Sequence, residues 1–214
     1  HGLEAVTVVW NLCLGAAVFF LARVLAILYF VNNIEDDEVD KHCRKRLPIE
    51  VGGFLVFFLL FVGRLMTMEG YAVQPETEEI FMQPYKYLNN LPEMPVVLVL
   101  FLAGVVLVLY GIIDTMLSKY HVKGIWFAGT GTVLTVLALL LCAGWNHTAY
   151  YPSTVDLQSS LTIQNSSSSH FTLQTMMYVS FLIPFVLAYI FYAWRALDLH
   201  KINDQEIREG EHTY

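Results

Sequence analysis

Two arginines, Arg23 and Arg64, stand inside long apolar runs, and acidic residues border the same runs: Glu50 and Asp114 toward one side, Glu69 and Glu93 toward the other. If those runs cross a membrane, these are the first places to look for chemistry, because a charge at the centre of a membrane helix costs about 2.5 to 3.5 kcal/mol to insert. Arg23 lies eight residues before the inner end of its run, roughly 12 Å deep at about 1.5 Å per residue. Arg64 lies four residues from the outer end of the next run, close enough for its head group to reach the surface. The two point toward opposite leaflets, so they do not form the single midplane anion site that a carrier of anionic substrates needs. Glu50 and Asp114 are within conceivable reach of Arg23, and Glu69 and Glu93 of Arg64. Structural ion pairs are the first reading. A proton relay through Arg23, Glu50 or Asp114 is the second.

Histidine is the other residue type with chemistry to offer, since haem held by imidazole needs a ring facing a bundle interior. None of the seven histidines falls deep inside an apolar run. His147 and His170 lie at the outer interface, where a haem could use either, with Met176 or Met177 as a second ligand; a methionine stripe on a membrane helix is more often packing. Cys13, Cys43 and Cys142 show no paired spacing for a disulfide framework or a zinc site. No phosphate-cradling glycine loop, nucleophile elbow or paired metal motif is present.

The elements that must position these residues are membrane helices. Hydrophobic residues make up 56% of the sequence and charged residues 14%, far from the globular norm. A formal charge of -7 argues against a nucleic-acid partner. A helix needs about 20 apolar residues to cross a bilayer, and five stretches qualify, at 5–31, 49–68, 95–117, 125–145 and 171–197. The expectation is an all-α polytopic bundle forming a single membrane domain. Basic residues near span ends set orientation. Nine fall in the first and third loops and the tail, against only Lys86 in the second loop and none between Asn146 and His170. This predicts an outside N-terminus and a cytoplasmic C-terminus. The opening His1, with no charged region and cleavage site before the first apolar run, is read as a processed or truncated start rather than a signal peptide.

Small residues at Gly15-Ala16-Ala17, Gly52-Gly53, Ala103-Gly104 and Ala128-Gly129-Thr130-Gly131 predict close helix packing. Pro184 predicts a kink in the last span. Tyr, Pro and Asn residues in the outer loops, Asn89 and Asn90 among them, predict ordered caps, and the run Ser166 to Ser169 is placed to cap the helix at Phe171. The Asn-x-Ser/Thr matches at Asn146 and Asn165 matter only in a glycosylating secretory pathway.

Several segments carry a family resemblance. Ser159-Ser160-Leu161-Thr162-Ile163, then Asn165 to Ser168 and Thr172-Leu173, lead into a span with Pro184, Tyr189 and Trp194. Together they resemble the last outer loop and final helix of subunit II of bacterial cytochrome bd-type quinol oxidases. Glu69-Gly70-Tyr71-Ala72-Val73 is similar to that family's Asp-Gly-Tyr-Val-Val segment, and Asn89-Asn90, the Pro95 helix start and Tyr214 agree further. The resemblance implies a nine-span subunit built as two four-helix bundles plus one helix, of which this chain is the second bundle and the last helix, with the first four spans absent. It implies a multi-pass protein of the bacterial inner membrane, in a complex that oxidises quinol, reduces oxygen to water and contributes to the proton-motive force. It places haems b and d in the partner subunit I, leaves this chain as a haem-free scaffold and proton-access partner, and allows a structural quinone and small accessory subunits. No catalytic residue carries over, because the family's proton-route acids lie mainly in the first half of the subunit. The competing class is a carrier or channel, which needs an inverted repeat or broken helices converging on a midplane site; neither is clearly visible.

Overall fold

The computed structural model describes residues 8–118, 123–153 and 155–197. Helix α1 is Val9–Asn33, and it ends where Ile34 turns extended while its N–H still bonds the Phe30 carbonyl. Helix α2 is Asp37–Thr67, and its start lies well before the apolar run at Ile49. The reason is local. The Asp36 side chain accepts from the Val39 N–H at 2.7 Å and caps the helix, and Asp37, Glu38 and Asp40 complement the positive end of the helix dipole. Pro48 lies inside α2 without ending it.

Strands β1 (Gly70–Val73) and β2 (Ile80–Gln83) form an antiparallel hairpin with Gly70 opposite Gln83 and Val73 opposite Ile80. Helix α3 (Lys86–Glu93) leads into α4 (Pro95–Leu117), and α5 is Gly124–Gly144. After a 3-10 turn at Leu157–Ser159 come the one-turn α6 (Ile163–Ser166), α7 (His170–Ser180) and α8 (Ile183–Leu197). Among the described residues, five stretches are long and apolar enough to cross a membrane: α1, α2, α4, α5 and the combined span His170–Ala196. The chain is thus a polytopic all-α membrane protein with a small hairpin at one end.

Val24 and Leu28 of α1, Leu47 and Phe54 of α2, Val108 and Ile112 of α4 and Ala128 of α5 meet in one buried cluster. The closest seam runs between α4 and α5. A Cβ on Gly104 would fall 2.5 Å from the Thr135 hydroxyl, and one on Gly131 would fall 2.6 Å from the Gly104 carbonyl and the Val108 nitrogen. Gly111 meets Gly124 and Ala128 in the same way one heptad along. On α1 and α2 the close approach is that of the Phe20 ring to Gly53, where an added Cβ would lie 2.7 Å away. Gly15, Gly52 and Gly129, which the sequence marks equally as packing positions, face open space.

The last span is interrupted. Pro184 cannot donate to the Ser180 carbonyl, and the helix breaks at Phe181 and Leu182, where 3-10 type bonds from Phe181 to Tyr178 and from Leu182 to Val179 close α7. The Ser169 side chain accepts from the Thr172 N–H and caps α7. Every residue from His170 to Tyr192 is exposed. The Trp194 ring reaches Tyr29 of α1 edge-on at 6.5 Å. Between this span and the bundle lies an apolar groove of about 640 Å³, lined among others by Tyr29, Trp126, Val133, Leu187 and Phe191.

Candidate functional site

The buried face of α2 reads Cys43, Leu47, Glu50, Phe54, a spacing of three and four that turns one stripe toward the core. Glu50 therefore occupies a core position and is 3% exposed. A lone carboxylate there would be costly. Arg23 of α1 meets it, with Nη2 donating to Oε1 at 2.6 Å. The Arg23 side chain remains 49% exposed, and its guanidinium lies 5.6 Å from the centre of the Phe19 ring, in the range of a cation–π contact. Of the acids the sequence sets near Arg23, the one it meets is Glu50. Asp114 lies half-buried near the end of α4.

One turn before Leu47, Arg44 makes a second link. Its Nε donates to both Asp40 oxygens at 2.9 and 2.8 Å. Its Nη1 donates to the Thr115 carbonyl and, at 2.9 Å, to the Ser118 carbonyl. Thr115 lies in the last turn of α4 and Ser118 directly follows it, at the negative end of the helix dipole. Arg44 thus caps α4 from α2.

At the opposite end of the bundle the loop between α2 and α4 and the loop after α5 fold into one cap. Val73 donates to the His147 carbonyl at 2.8 Å and Ala149 to the Tyr71 carbonyl at 2.9 Å, so the segment after α5 extends the hairpin. Gln158 brackets Ile80, accepting from its N–H at 2.9 Å and donating to its carbonyl at 2.7 Å. Beneath them Asn90 is fully buried, donating to the Cys142 carbonyl at 2.8 Å and the Thr148 hydroxyl at 3.0 Å. Asn146 donates to the Asn90 side-chain carbonyl at 3.0 Å and to the Glu93 carboxylate. The buried Lys86 ammonium donates to the Asn146 carbonyl at 3.0 Å. Burial pushes Lys86 below the ordinary lysine value, with the nearby Glu93 carboxylate opposing that shift. Burial also raises the Tyr87 phenol. Asn146 and His147 hold this geometry at φ 55° and 51°, left-handed values that asparagine tolerates better than most residues.

The sequence-based candidates thus fall in separate places. Arg64 lies 5.6 Å from the centre of the Trp10 ring, and among the described residues no carboxylate is within ion-pair distance of it. The expected partner Glu93 belongs instead to the cap. His147 is exposed and borders a cavity of about 230 Å³ with Asn146, Thr148 and Gln164. His170 begins α7, and Met176 and Met177 lie exposed on it. Neither imidazole faces the bundle interior. Among the described residues no group of three or more His, Cys, Asp or Glu side chains could hold a metal ion.

Lys86, Asn90, Asn146 and Thr148 were not singled out as a site from sequence. The available signal was the Asn doublet ahead of Pro92 and Lys86, a lone basic residue in its loop.

Comparison with individual curated proteins gave no match. The family model described as cytochrome bd terminal oxidase subunit II matches residues 2–197, which takes in the five apolar spans and the loops between them. The chain therefore belongs to the cytochrome bd terminal oxidase subunit II family.

Proposed function

We propose that this chain is a haem-free scaffold that packs beside subunit I in a quinol-oxidising, oxygen-reducing complex of the bacterial cytoplasmic membrane. Its five spans correspond to the second bundle and last helix of that family's subunits, with the N-terminus outside and the C-terminus cytoplasmic. The observation that carries the scaffold reading is the Arg23–Glu50 bond at 2.6 Å. The charge that α1 brings into the bilayer is used to tie it to α2, and Arg44 ties α2 to α4 in the same manner. Orientation rests on the nine basic residues of the first and third loops and the tail.

A second role, proton access from the cytoplasmic side, is favoured by one observation: Glu50 is a protonatable group in the core of the bundle, 3% exposed, near the start of the apolar run that begins at Ile49. The exposed faces of α7 and α8 and the apolar groove beside them also suit an isoprenoid tail, so a structural quinone is compatible with the scaffold reading. Small accessory subunits fit the same exposed surface.

The test is a mild-detergent pull-down through the tail of this chain, with a reduced-minus-oxidised visible spectrum of the eluate and the chain expressed alone as comparison. Haem bands that appear only when a larger partner co-elutes support the scaffold. Haem on the isolated chain would refute it and make His147 and His170 ligand suspects. No haem in either sample would refute the oxidase role itself and return a carrier or channel to consideration. For proton access, Glu50→Gln is expected to slow oxygen consumption and proton uptake together while haem content is unchanged; unaltered turnover would leave Glu50 a purely structural acid.

A further inference from the structure

Hydrocarbon packs along the stripe of α2 that carries Glu50. Leu47 and Phe54, which precede and follow it on that stripe, lie in the buried cluster with Val24 of α1 and Val108 and Ile112 of α4. About one turn beyond Glu50 the Phe20 ring lies over Gly53, so close that an added Cβ would fall 2.7 Å from it. Among the described residues, the polar side chain bonded to Glu50 is that of Arg23. The glutamate side chain is 4% exposed and the arginine side chain 49%. The guanidinium is therefore both the polar contact of the acid and the exposed part of the pair, so a proton bound for Glu50 meets it first.

Arg23 also has somewhere to go. Phe19 lies four residues before it on α1, on the same helix face, and is 58% exposed. The guanidinium carbon stands 5.6 Å from the centre of that ring, close to the outer limit of about 6 Å for a cation–π contact. Rotation toward Phe19 exchanges the carboxylate for the ring face and tightens the second contact as the first is lost. Among the described residues Arg23 has its one hydrogen bond with Glu50, so release breaks that bond and no other.

We propose that Arg23 is a positioning residue and gate for Glu50: bonded inward it seals the carboxylate, and turned outward onto Phe19 it opens Glu50 to one proton. The proton comes from water and is taken up by a carboxylate oxygen, giving the neutral acid. Arg23 keeps its own protons and its charge throughout. Loss of the proton from Glu50 restores the carboxylate and draws Arg23 back. The gate rests on the proton-access reading of Glu50 and adds to it the group that admits the proton.

The test is labelling of the purified oxidase complex with dicyclohexylcarbodiimide, which attaches to protonated carboxyl groups in apolar surroundings, read at Glu50 by peptide mass at low extents of reaction. Labelling during steady oxygen consumption with quinol is expected to exceed that of the resting complex severalfold. Arg23→Leu is expected to label fast in both states and lose the difference, while Arg23→Lys keeps it. Phe19→Leu leaves both members of the ion pair in place and is expected to slow labelling during turnover roughly two- to fivefold, the worth of an exposed cation–π contact. It keeps the test valid should Arg23→Leu fail to assemble. A purely structural ion pair gives equal labelling at rest and in turnover. That result in the wild type, or an unchanged difference in both Arg23→Leu and Phe19→Leu, would overturn the gate. Glu50→Gln separates the two readings. Slowed turnover of that variant, together with wild-type labelling indifferent to turnover, keeps Glu50 on the route and removes Arg23 as its gate; unaltered turnover removes the route and the gate with it.

Discussion

Glu50 takes a position that Leu47 and Phe54, on either side of it in the same stripe, fill with hydrocarbon. Removing one member of a buried pair leaves the other uncompensated, whereas replacing both with apolar groups is often neutral. Arg23→Leu strands the buried Glu50 carboxylate and is therefore expected to lower the thermal midpoint of the protein by several degrees, and Arg23→Leu/Glu50→Leu to recover much of that loss, as read by scanning fluorimetry in detergent. Lys86 gives a pH signature in the cap. Its folded value lies below the 10.5 of an unburied lysine, so the unfolded chain binds more protons and cap stability rises as pH climbs through that window. Lys86→Met is expected to flatten the rise, measured as the midpoint of cap unfolding from neutral pH to about the free-lysine value. Of these residues Arg23 and Glu50 were legible in the sequence as candidates, because depth along two helices can be counted from their ends, but the choice between Glu50 and Asp114 was not. Lys86 was not, because its burial is produced by a segment sixty residues away in the chain.

Glycines with the same appearance in sequence do opposite things in the helices. Gly131 faces the backbone of α4 at a distance that admits no Cβ, so Gly131→Ala is expected to push α4 and α5 apart at a cost of about 1–3 kcal/mol. Gly129, two residues away, faces open space, and Gly129→Ala is expected to be neutral or slightly stabilising; chemical denaturation of the two variants in one detergent separates them. Hydropathy shows that a helix crosses the bilayer but carries little phase, which is why the five spans were readable while Gly111 and Gly124 passed unnoticed and Gly15 and Gly52 were marked without cause. The early start of α2 was hidden for a different reason. Charged residues from Asp37 to Arg46 read as loop by hydropathy, although Asp36 and the acidic first turn are a helix start by capping chemistry. The break before Pro184 was legible, because a missing N–H acts through its own helix and needs no tertiary partner.

Across the whole molecule, the bundle and the cap are joined through Asn90, whose side chain links the end of α5, the segment after it and α3. Asn90→Leu leaves the Thr148 and Asn146 groups short of a partner at about 1–3 kcal/mol for each group left unsatisfied. It is expected to expose the hairpin and the loop after α5 to protease while the spans stay protected, as mapped by limited proteolysis and peptide mass. Such a cap could be foreseen in outline from the aromatic and Asn-rich loops, but its pairing could not, since the residues that close it lie far apart in sequence and are brought together only once α4 and α5 have packed. The glycine seam between those two helices also bears on how the protein is made. With only residues 118–123 between them, α4 and α5 leave the ribosome in quick succession, and their close-fitting faces let them enter the lipid as one hairpin. The polar cap and the Arg44 clamp would then be added to a finished piece, so a fault at Gly104 or Gly131 would be met first by the insertion machinery and only later by the oxidase.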